Sequence, residues 1–193
     1  MRDVGRHEVT VVRIVMLLSL AFLVVCTNRS IAAAQPPALT PPTAQSAATL
    51  VAPVPQMRGH INDYAGTLTE QQRADMESRL AKYERETTHQ VVVLTVPTLG
   101  TESIDSFSLR VANAWRLGRK DLDNGVLITV SPQDRKARIE LGRGMSRYVS
   151  DAVAAEIMTS VMTPQFRTGD YARGIELGLE RLMTECRAYK ARP

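Results

Sequence analysis

Hydrophobic positions in the middle of the chain change from helical to strand spacing and back. Thr69-Glu70-Gln71-Gln72 has the form of a helix-capping box, and apolar residues follow it on one face, which predicts a helix from Glu70 to about Glu86. Residues 90–96, with the sequence QVVVLTV, are almost continuously apolar and β-branched, as is typical of a strand covered on both faces. A second helix is then predicted by the apolar residues Ile104, Phe107, Val111 and Trp115, and Gly118 marks its end.

Two further strands are predicted after the second helix. Residues 126–130 are apolar, residues 137–141 alternate, and a polar segment containing Pro132 separates them, which predicts a hairpin. The strand at 90–96 reaches this hairpin through a helix, so the two strands should be parallel and joined by a right-handed crossover. The sheet is therefore expected to be mixed.

Two more helices complete the predicted domain. A helix that begins at Ser150 or Asp151 is expected to end at Pro164, and the last helix begins after residues 168–170. The last helix carries two glycines spaced to allow close packing, Gly174 and Gly178. Together these elements predict an α/β fold, a three-layer α/β/α sandwich with a small mixed sheet.

The N-terminal residues have the features of an export signal. Three arginines precede the uncharged segment from Ile14 to Val25, which is shorter than the roughly 20 apolar residues that a membrane-spanning helix needs. Ala32-Ala33-Ala34 supplies a cleavage site, so residues 1–34 are expected to be a signal peptide. Two alternatives stay open: an uncleaved anchor, or a lipoprotein acylated at Cys26. All three interpretations predict an exported, periplasmic or extracytoplasmic protein that contacts the membrane only through its N-terminus.

Residues 35–55 are rich in Pro and Ala and are expected to form an extended linker, which leaves residues 56–190 for the folded domain. If cleavage follows Ala34, Cys186 is the one remaining cysteine. An intrachain disulfide and a dithiol redox function are then excluded, and Cys186 is expected to be a small buried hydrophobe.

Charge and motifs exclude several other functions. The 193 residues carry a formal net charge of +4, but no arm or face gathers Lys and Arg among aromatics, so nucleic-acid binding is not expected. The sequence contains no P-loop, and no nucleophile lies beside a base along the chain. His60 and His89 are isolated in sequence and are expected to be surface or core histidines.

Carboxylates cluster at the entrance to the predicted strand 126–130. Asp121-Leu122-Asp123-Asn124-Gly125 forms a turn there, in which Gly125 can supply a positive φ and the aspartates can simply be solvated. The segment is not an EF-hand, because Gly125 falls one place early and Pro132 replaces the bidentate glutamate. Oxygen ligands for Ca²⁺ or Mg²⁺ can still come from separate loops. Asp63 and Asp151 could contribute, although a turn and a helix N-terminus also explain them.

Several motifs in order along the chain resemble the TPM domain family. They span about Gln56 to Glu185 and comprise Asp63-Tyr64-Ala65-Gly66, Trp115 with Leu117-Gly118, Asp121 to Gly125, Arg138-Ile139-Glu140 with Gly142 and Gly144, Asp151, and Pro164 to Tyr171 with Gly174. The family includes a thylakoid lumen protein linked to photosystem II repair and many bacterial envelope proteins. Its α/β/α sandwich agrees with the fold predicted from periodicity.

The resemblance implies a divalent-cation site, with Ca²⁺ or Mg²⁺ as the cofactor. Asp123 is the best candidate ligand by similarity, followed by Asp63, Asp121 and Asp151, and the loops that carry them are expected to meet at one end of the sheet. Arg138 and Glu140 either orient ligands or pair with each other. Many bacterial relatives continue into a membrane helix and a Gly-rich or Ser-rich tail, which is not expected here.

Two functions follow from this resemblance. The first is a cation-binding accessory module that contacts a protein partner in envelope assembly or maintenance. The alternative is a metal-assisted acid phosphatase acting on phosphomonoesters, in which the cation polarises a phosphoryl oxygen. Beyond the acidic residues, the sequence itself offers no support for the enzyme.

Overall fold

The computed structural model describes residues 51–190, and the predicted signal peptide, the Cys26 alternative and residues 35–50 of the predicted linker lie outside these residues. The strands are β1 (Ile61–Asp63), β2 (Gln90–Thr95), β3 (Gly125–Ser131) and β4 (Lys136–Leu141). The helices are α1 (Glu70–Thr87), α2 (Ile104–Trp115), α3 (Asp151–Glu156), α4 (Thr163–Arg167) and α5 (Tyr171–Lys190). A 3₁₀ turn (Arg143–Met145) follows β4, and a π-helical segment (Ile157–Met162) joins α3 to α4.

The four strands form one mixed sheet in the order β1-β2-β3-β4. β1, β2 and β3 are parallel, and β4 is antiparallel to β3. The predicted mixed sheet, its hairpin and its central strands are thus confirmed. β1 was not predicted, because three residues are too few to show a strand period.

Helices cover both faces of the sheet, which confirms the three-layer sandwich. α1, α5 and the segment 151–167 pack on the face that carries Val93 and Ile128, whereas α2 packs on the face of Leu94 and Leu127. The chain therefore crosses from β1 to β2 and from β2 to β3 in the same direction but over opposite faces. The two crossovers have opposite hands, so one of them departs from the usual right-handed connection.

α1 forms as its sequence predicts. Thr69 accepts a hydrogen bond from the N–H of Gln72 at 3.2 Å, and the Gln72 side chain accepts one from the Thr69 N–H at 2.9 Å, which completes the capping box. Met76, Leu80 and Tyr83 are buried on the face that meets the sheet. The helix ends where Thr88 takes a left-handed conformation.

The segment after α3 differs from its prediction, because the helix does not end at Pro164. The backbone instead takes wider turns over residues 157–162, so the N–H of Thr163 bonds to the carbonyl of Met158, five residues back. Pro164 then lies in the first turn of α4, where a missing N–H is tolerated.

The two glycines of α5 allow the close packing that the sequence predicts. A Cβ at Gly174 would lie 2.4 Å from the Phe166 ring, and one at Gly178 would lie 2.5 Å from the Met162 sulfur. The C-terminal helix therefore lies directly against α4 and the end of the π segment. Cys186 on the same helix is buried, as predicted.

The folded part begins earlier than Gln56. Val51 forms an isolated bridge with Gly100, and the carbonyl of Pro55 accepts a hydrogen bond from the Trp115 indole at 2.9 Å. Residues 51–55 thus pack on the domain although their composition resembles that of the linker. Among the helices of residues 51–190, none combines the length and hydrophobicity that crossing a bilayer requires.

His60, immediately before β1, joins this strand to α1. Its Nδ1 lies 2.7 Å from a Glu77 oxygen and its Nε2 lies 2.8 Å from a Glu84 oxygen. Partial burial lowers the pKa of His60, but the hydrogen bonds and charges of the two glutamates outweigh it and raise the pKa above its ordinary value. His60 therefore links the start of β1 to α1 through its contacts with the two glutamates.

We expect His60→Gln to lower the free energy of unfolding by about 1 kcal/mol at pH 6, and by less at higher pH. A raised pKa means that the stabilisation is complete below about pH 6.5, the ordinary histidine value, and is lost as the pH rises through the pKa of the folded protein. Denaturant unfolding of both proteins between about pH 5.5 and 9 measures the difference. If the difference in unfolding free energy does not change with pH, the charge on His60 does not contribute to this link.

Candidate functional site

The turn before β3 is built around a close approach of two glycine backbones. A Cβ at Gly118 would lie 2.6 Å from the Gly125 nitrogen, and a Cβ at Gly125 would lie 2.6 Å from the Leu117 carbonyl carbon. Gly118 also has a φ of +89°. Residues 118–125 therefore form a loop whose two ends, Gly118 and Gly125, are in contact.

Asn124 fixes the loop 118–125 from inside. Its side-chain oxygen accepts the N–H of Arg119 at 2.9 Å, and its amide nitrogen donates to the carbonyl of Thr88 at 2.7 Å. The residue is 3% exposed, so these bonds are shielded from water. Asn124 is thus a structural residue that ties the loop to the end of α1.

Asp123 occupies the corner of the loop and is half-exposed. Its backbone has a φ of +45°, which a residue other than glycine rarely adopts. Its Oδ2 accepts hydrogen bonds from the backbone N–H and from the Nε of Arg143, each at 3.1 Å. The Arg143 side chain is 98% exposed, so this ion pair is a surface pair of the kind that is typically worth about 0–1 kcal/mol.

The strand-end glycines after β4 bring a second loop against Asp123. A Cβ at Gly142 would lie 2.3 Å from the Asp123 carbonyl oxygen, and one at Gly144 would lie 1.8 Å from the Leu122 carbonyl oxygen. The N–H of Gly144 donates to the Asp123 carbonyl at 2.9 Å. The contact between the two loops therefore requires glycine at both positions.

Asp121 and Asp151 are both exposed. Asp121 lies in the turn two residues before Asp123. Asp151 is the first residue of α3, whose N-cap is Ser150, and its charge there is favourable to the helix dipole. The helix N-terminus thus accounts for Asp151.

Asp63 is used within the fold. At the end of β1 its Oδ1 accepts from the N–H and hydroxyl of Thr67, both at 3.1 Å, and from the hydroxyl of Thr95, while its Oδ2 accepts from the N–H of Leu68 at 2.9 Å. Burial raises the pKa of Asp63, but these hydrogen bonds outweigh it and lower the pKa below its ordinary value. Asp63 therefore stabilises the loop between β1 and α1.

The expected meeting of Asp63 and Asp123 at one end of the sheet is wrong. Asp63 pairs in register with Thr95, and Thr95 pairs with Val130 near the end of β3, whereas Asp123 precedes the start of β3 at Gly125. The five residue steps from Val130 to Gly125 span about 16 Å at about 3.3 Å per residue, and Asp123 lies beyond Gly125. One ion cannot contact both carboxylates in this fold.

Arg138 and Glu140 pair with each other, as the safer of the two sequence interpretations predicts. The Nε of Arg138 donates to a Glu140 oxygen at 2.7 Å, and Arg138 also pairs with Asp105 of α2. Both residues lie on the α2 side of β4. The hydrogen bond that Arg138 donates to the Glu140 carboxylate raises the pKa of Arg138 above its ordinary value and outweighs the opposing effect of partial burial.

Asp123 and Glu140 line the same groove, between α2 and the loop contact. The groove has a volume of about 420 Å³ and also includes Asn113 and Arg143. Across residues 51–190, the structure brings no three His, Cys, Asp or Glu side chains together in a way that would hold a metal ion. The groove thus offers two carboxylates and one carboxamide, with each carboxylate paired to an arginine.

Comparison with known families assigns this fold. The TPM domain family matches residues 61–185, which include β1, the Asp123 loop and most of α5. The chain belongs to the TPM domain family. No curated protein matches it.

Solved structures share this fold. The solution NMR structure of the N-terminal domain of a protein from P. gingivalis is 29% identical, covers 66% of this chain and 82% of its own, and has a TM-score of 0.63. The BA42 protein from the psychrophilic bacterium Bizionia argentinensis is 22% identical, covering 63% of this chain and 83% of its own with a TM-score of 0.56. The N-terminal domain of the cg2496 protein from Corynebacterium glutamicum is 14% identical, with coverages of 70% and 86% and a TM-score of 0.54.

Sequence reasoning missed the residue that contacts Asp123 directly. Arg143 lies 20 positions later, in a Gly-Arg-Gly segment whose glycines had no assigned role. The hairpin prediction contained the needed signal, because the end of β4 must return beside the start of β3.

Proposed function

We propose that this TPM-domain chain is an exported accessory module that binds Ca²⁺ or Mg²⁺ through Asp123 and uses the ordered loop to contact a protein partner of the cell envelope. Export rests on the signal features of residues 1–34, including the open alternative of acylation at Cys26. Support for the cation comes from the family resemblance and from the groove beside Asp123. Asp63 is not part of this site.

The observation that carries the proposal is the exposed, weakly held partner of Asp123. A guanidinium on an almost fully exposed side chain can move away at little cost, which leaves the carboxylate to a cation. Glu140 and the Asn113 amide line the same groove and are oxygen donors of the kind that hard cations accept, with water completing the coordination. Asp121 is close in sequence and stays a candidate ligand, as does Asp151.

We expect millimolar Ca²⁺ or Mg²⁺ to raise the melting temperature of the protein by a few degrees, because binding to the folded state alone stabilises it by mass action. Asp123→Ala should abolish the shift. Arg143→Gln should enlarge it, since it removes the competing guanidinium and keeps the backbone N–H that orients the carboxylate. Differential scanning calorimetry measures all three effects.

Asp75→Ala is the matched control, because Asp75 is an exposed aspartate of α1 that bonds to Gln71. It should leave the cation shift unchanged. If folded protein shows no shift at millimolar cation, or if Asp75→Ala and Asp123→Ala reduce it equally, the cation site is refuted. Cation-dependent phosphate release from p-nitrophenyl phosphate that Asp123→Asn abolishes would instead favour the acid phosphatase alternative.

A further inference from the structure

A larger groove lies at the opposite end of the sheet from Asp123. It has a volume of about 780 Å³ and runs between the turn joining β3 to β4 and the junction of α4 with α5. Apolar and aromatic side chains contribute to its lining, namely Ile104, Ala137, Met158, Phe166 and Tyr171. The Tyr171 hydroxyl donates to the Pro132 carbonyl at 3.4 Å, which connects the two walls.

Cations stand on both walls of this groove, which we call the 135/167 groove. Arg135 lies on the turn, Lys136 is the first residue of β4, and Arg167 lies at the end of α4; all three are exposed. Within the described part of the chain, no carboxylate lies within ion-pair distance of any of them. Hydrogen bonds from Ser131 and Leu99 lower the pKa of Asp134, and the nearby charge of Lys136 lowers it further. The groove therefore combines apolar surface with the charges of Arg135 and Arg167, which form no ion pair within residues 51–190.

Acidic residues that are close in sequence are engaged elsewhere. Asp134 accepts from the N–H of Leu99 and the hydroxyl of Ser131, both at 2.7 Å. Asp170 accepts from the N–H of Arg173 at 2.9 Å and so caps α5. Asp105, which follows the groove residue Ile104, pairs with Arg138.

The aromatic part of the groove is held in place before any ligand arrives. The rings of Phe166 and Tyr171 are stacked with their centroids 5.2 Å apart. Gly174 lies directly behind Phe166, where a Cβ would be 2.4 Å from the ring. A preformed surface loses little conformational entropy when it binds.

We propose that the 135/167 groove binds a linear polypeptide segment in which carboxylates flank an aromatic or aliphatic side chain. The apolar side chain would lie on Phe166 and Tyr171, and the carboxylates would meet Arg135 and Arg167 on the two walls. A concave groove with cations on both walls can enclose a single extended chain, whereas a flat bilayer surface cannot enter it. Charge complementarity thus selects an acidic peptide as the occupant.

This inference rests on the proposed function only in taking the partner to be a protein. It does not depend on the cation, because Arg135 and Asp123 lie at opposite ends of β3. Binding measured in the presence of a chelator therefore tests the 135/167 groove alone. If the protein binds no cation, the peptide-binding measurement is unaffected. If the 135/167 groove binds no peptide, the cation-induced rise in melting temperature is unaffected.

The test is fluorescence anisotropy with a short labelled peptide in which glutamates alternate with phenylalanine and leucine, measured in EDTA at low ionic strength. We expect saturable binding that weakens with added salt. The double variant Arg135→Ala/Arg167→Ala should weaken binding about tenfold or more. A peptide with serine in place of phenylalanine and leucine should lose binding to a similar extent.

A charge-matched control separates the groove from the general charge of the protein. Arg73→Ala/Arg85→Ala removes two exposed cations of α1, outside both the groove and the loop 118–125, and should change the affinity by less than about twofold. Equal weakening by both double variants, full binding of the serine peptide, or no binding of the original peptide would each overturn the proposal. So would binding of phosphatidylglycerol vesicles that the Arg135→Ala/Arg167→Ala variant loses and that the peptide does not displace.

Discussion

Gly144→Ala should lower the free energy of unfolding by about 3 kcal/mol, as measured by denaturant titration. The added Cβ would lie 1.8 Å from the Leu122 carbonyl oxygen and 3.0 Å from that of Asp123, and both of these are backbone atoms that cannot rotate away. The two loops must therefore separate. That separation would also break the hydrogen bond from the Gly144 N–H to Asp123.

Gly169→Ala is the control for this substitution. Gly169 has a φ of +84°, but no atom lies within 4 Å of the position its Cβ would take. Its replacement should therefore cost only the backbone penalty, about 1 kcal/mol. Equal losses of stability for the two variants would show that the Asp123 loop does not pack on the segment after β4.

Asn124→Ala should cost about 2–3 kcal/mol of unfolding free energy. The truncation leaves the Arg119 N–H and the Thr88 carbonyl without the side chain that pairs with them, at a site from which water is excluded. An alanine cannot replace either bond. Thermal or denaturant unfolding gives the difference directly.

Asn113→Ala provides the comparison at an exposed position of α2. It should change stability by no more than about 0.5 kcal/mol, since Asn113 is exposed and alanine is the better helix former. If Asn124→Ala were as mild as Asn113→Ala, the asparagine would not be what holds the loop 118–125.

Periodicity was sufficient for the elements that bury a full face. The structure confirms three predictions that rest on local signals: the capping box at Thr69, the apolar strand 90–96 and the spaced glycines of α5. Each of these patterns is compatible with only one local structure. Pro164 misled the prediction because a local rule about proline does not anticipate wider turns upstream that remove the need for its N–H.

The candidate site was less predictable because it depends on the direction of the strands. The sequence predicts Asp63 to be a turn residue, and only the parallel pairing of β1 with β2 shows that it ends a strand while Asp123 precedes one. A three-residue strand leaves no periodic trace in the sequence. Four acidic residues could thus be identified one by one, but not the two ends of the sheet to which Asp63 and Asp123 belong.

β3 joins the Asp123 loop at its start to the 135/167 groove beyond its end, and a single rigid strand keeps the two apart. An ion at one terminus and a peptide at the other would not compete for space. One copy of the domain would then bind the ion and the peptide at the same time and hold them at a fixed distance from each other.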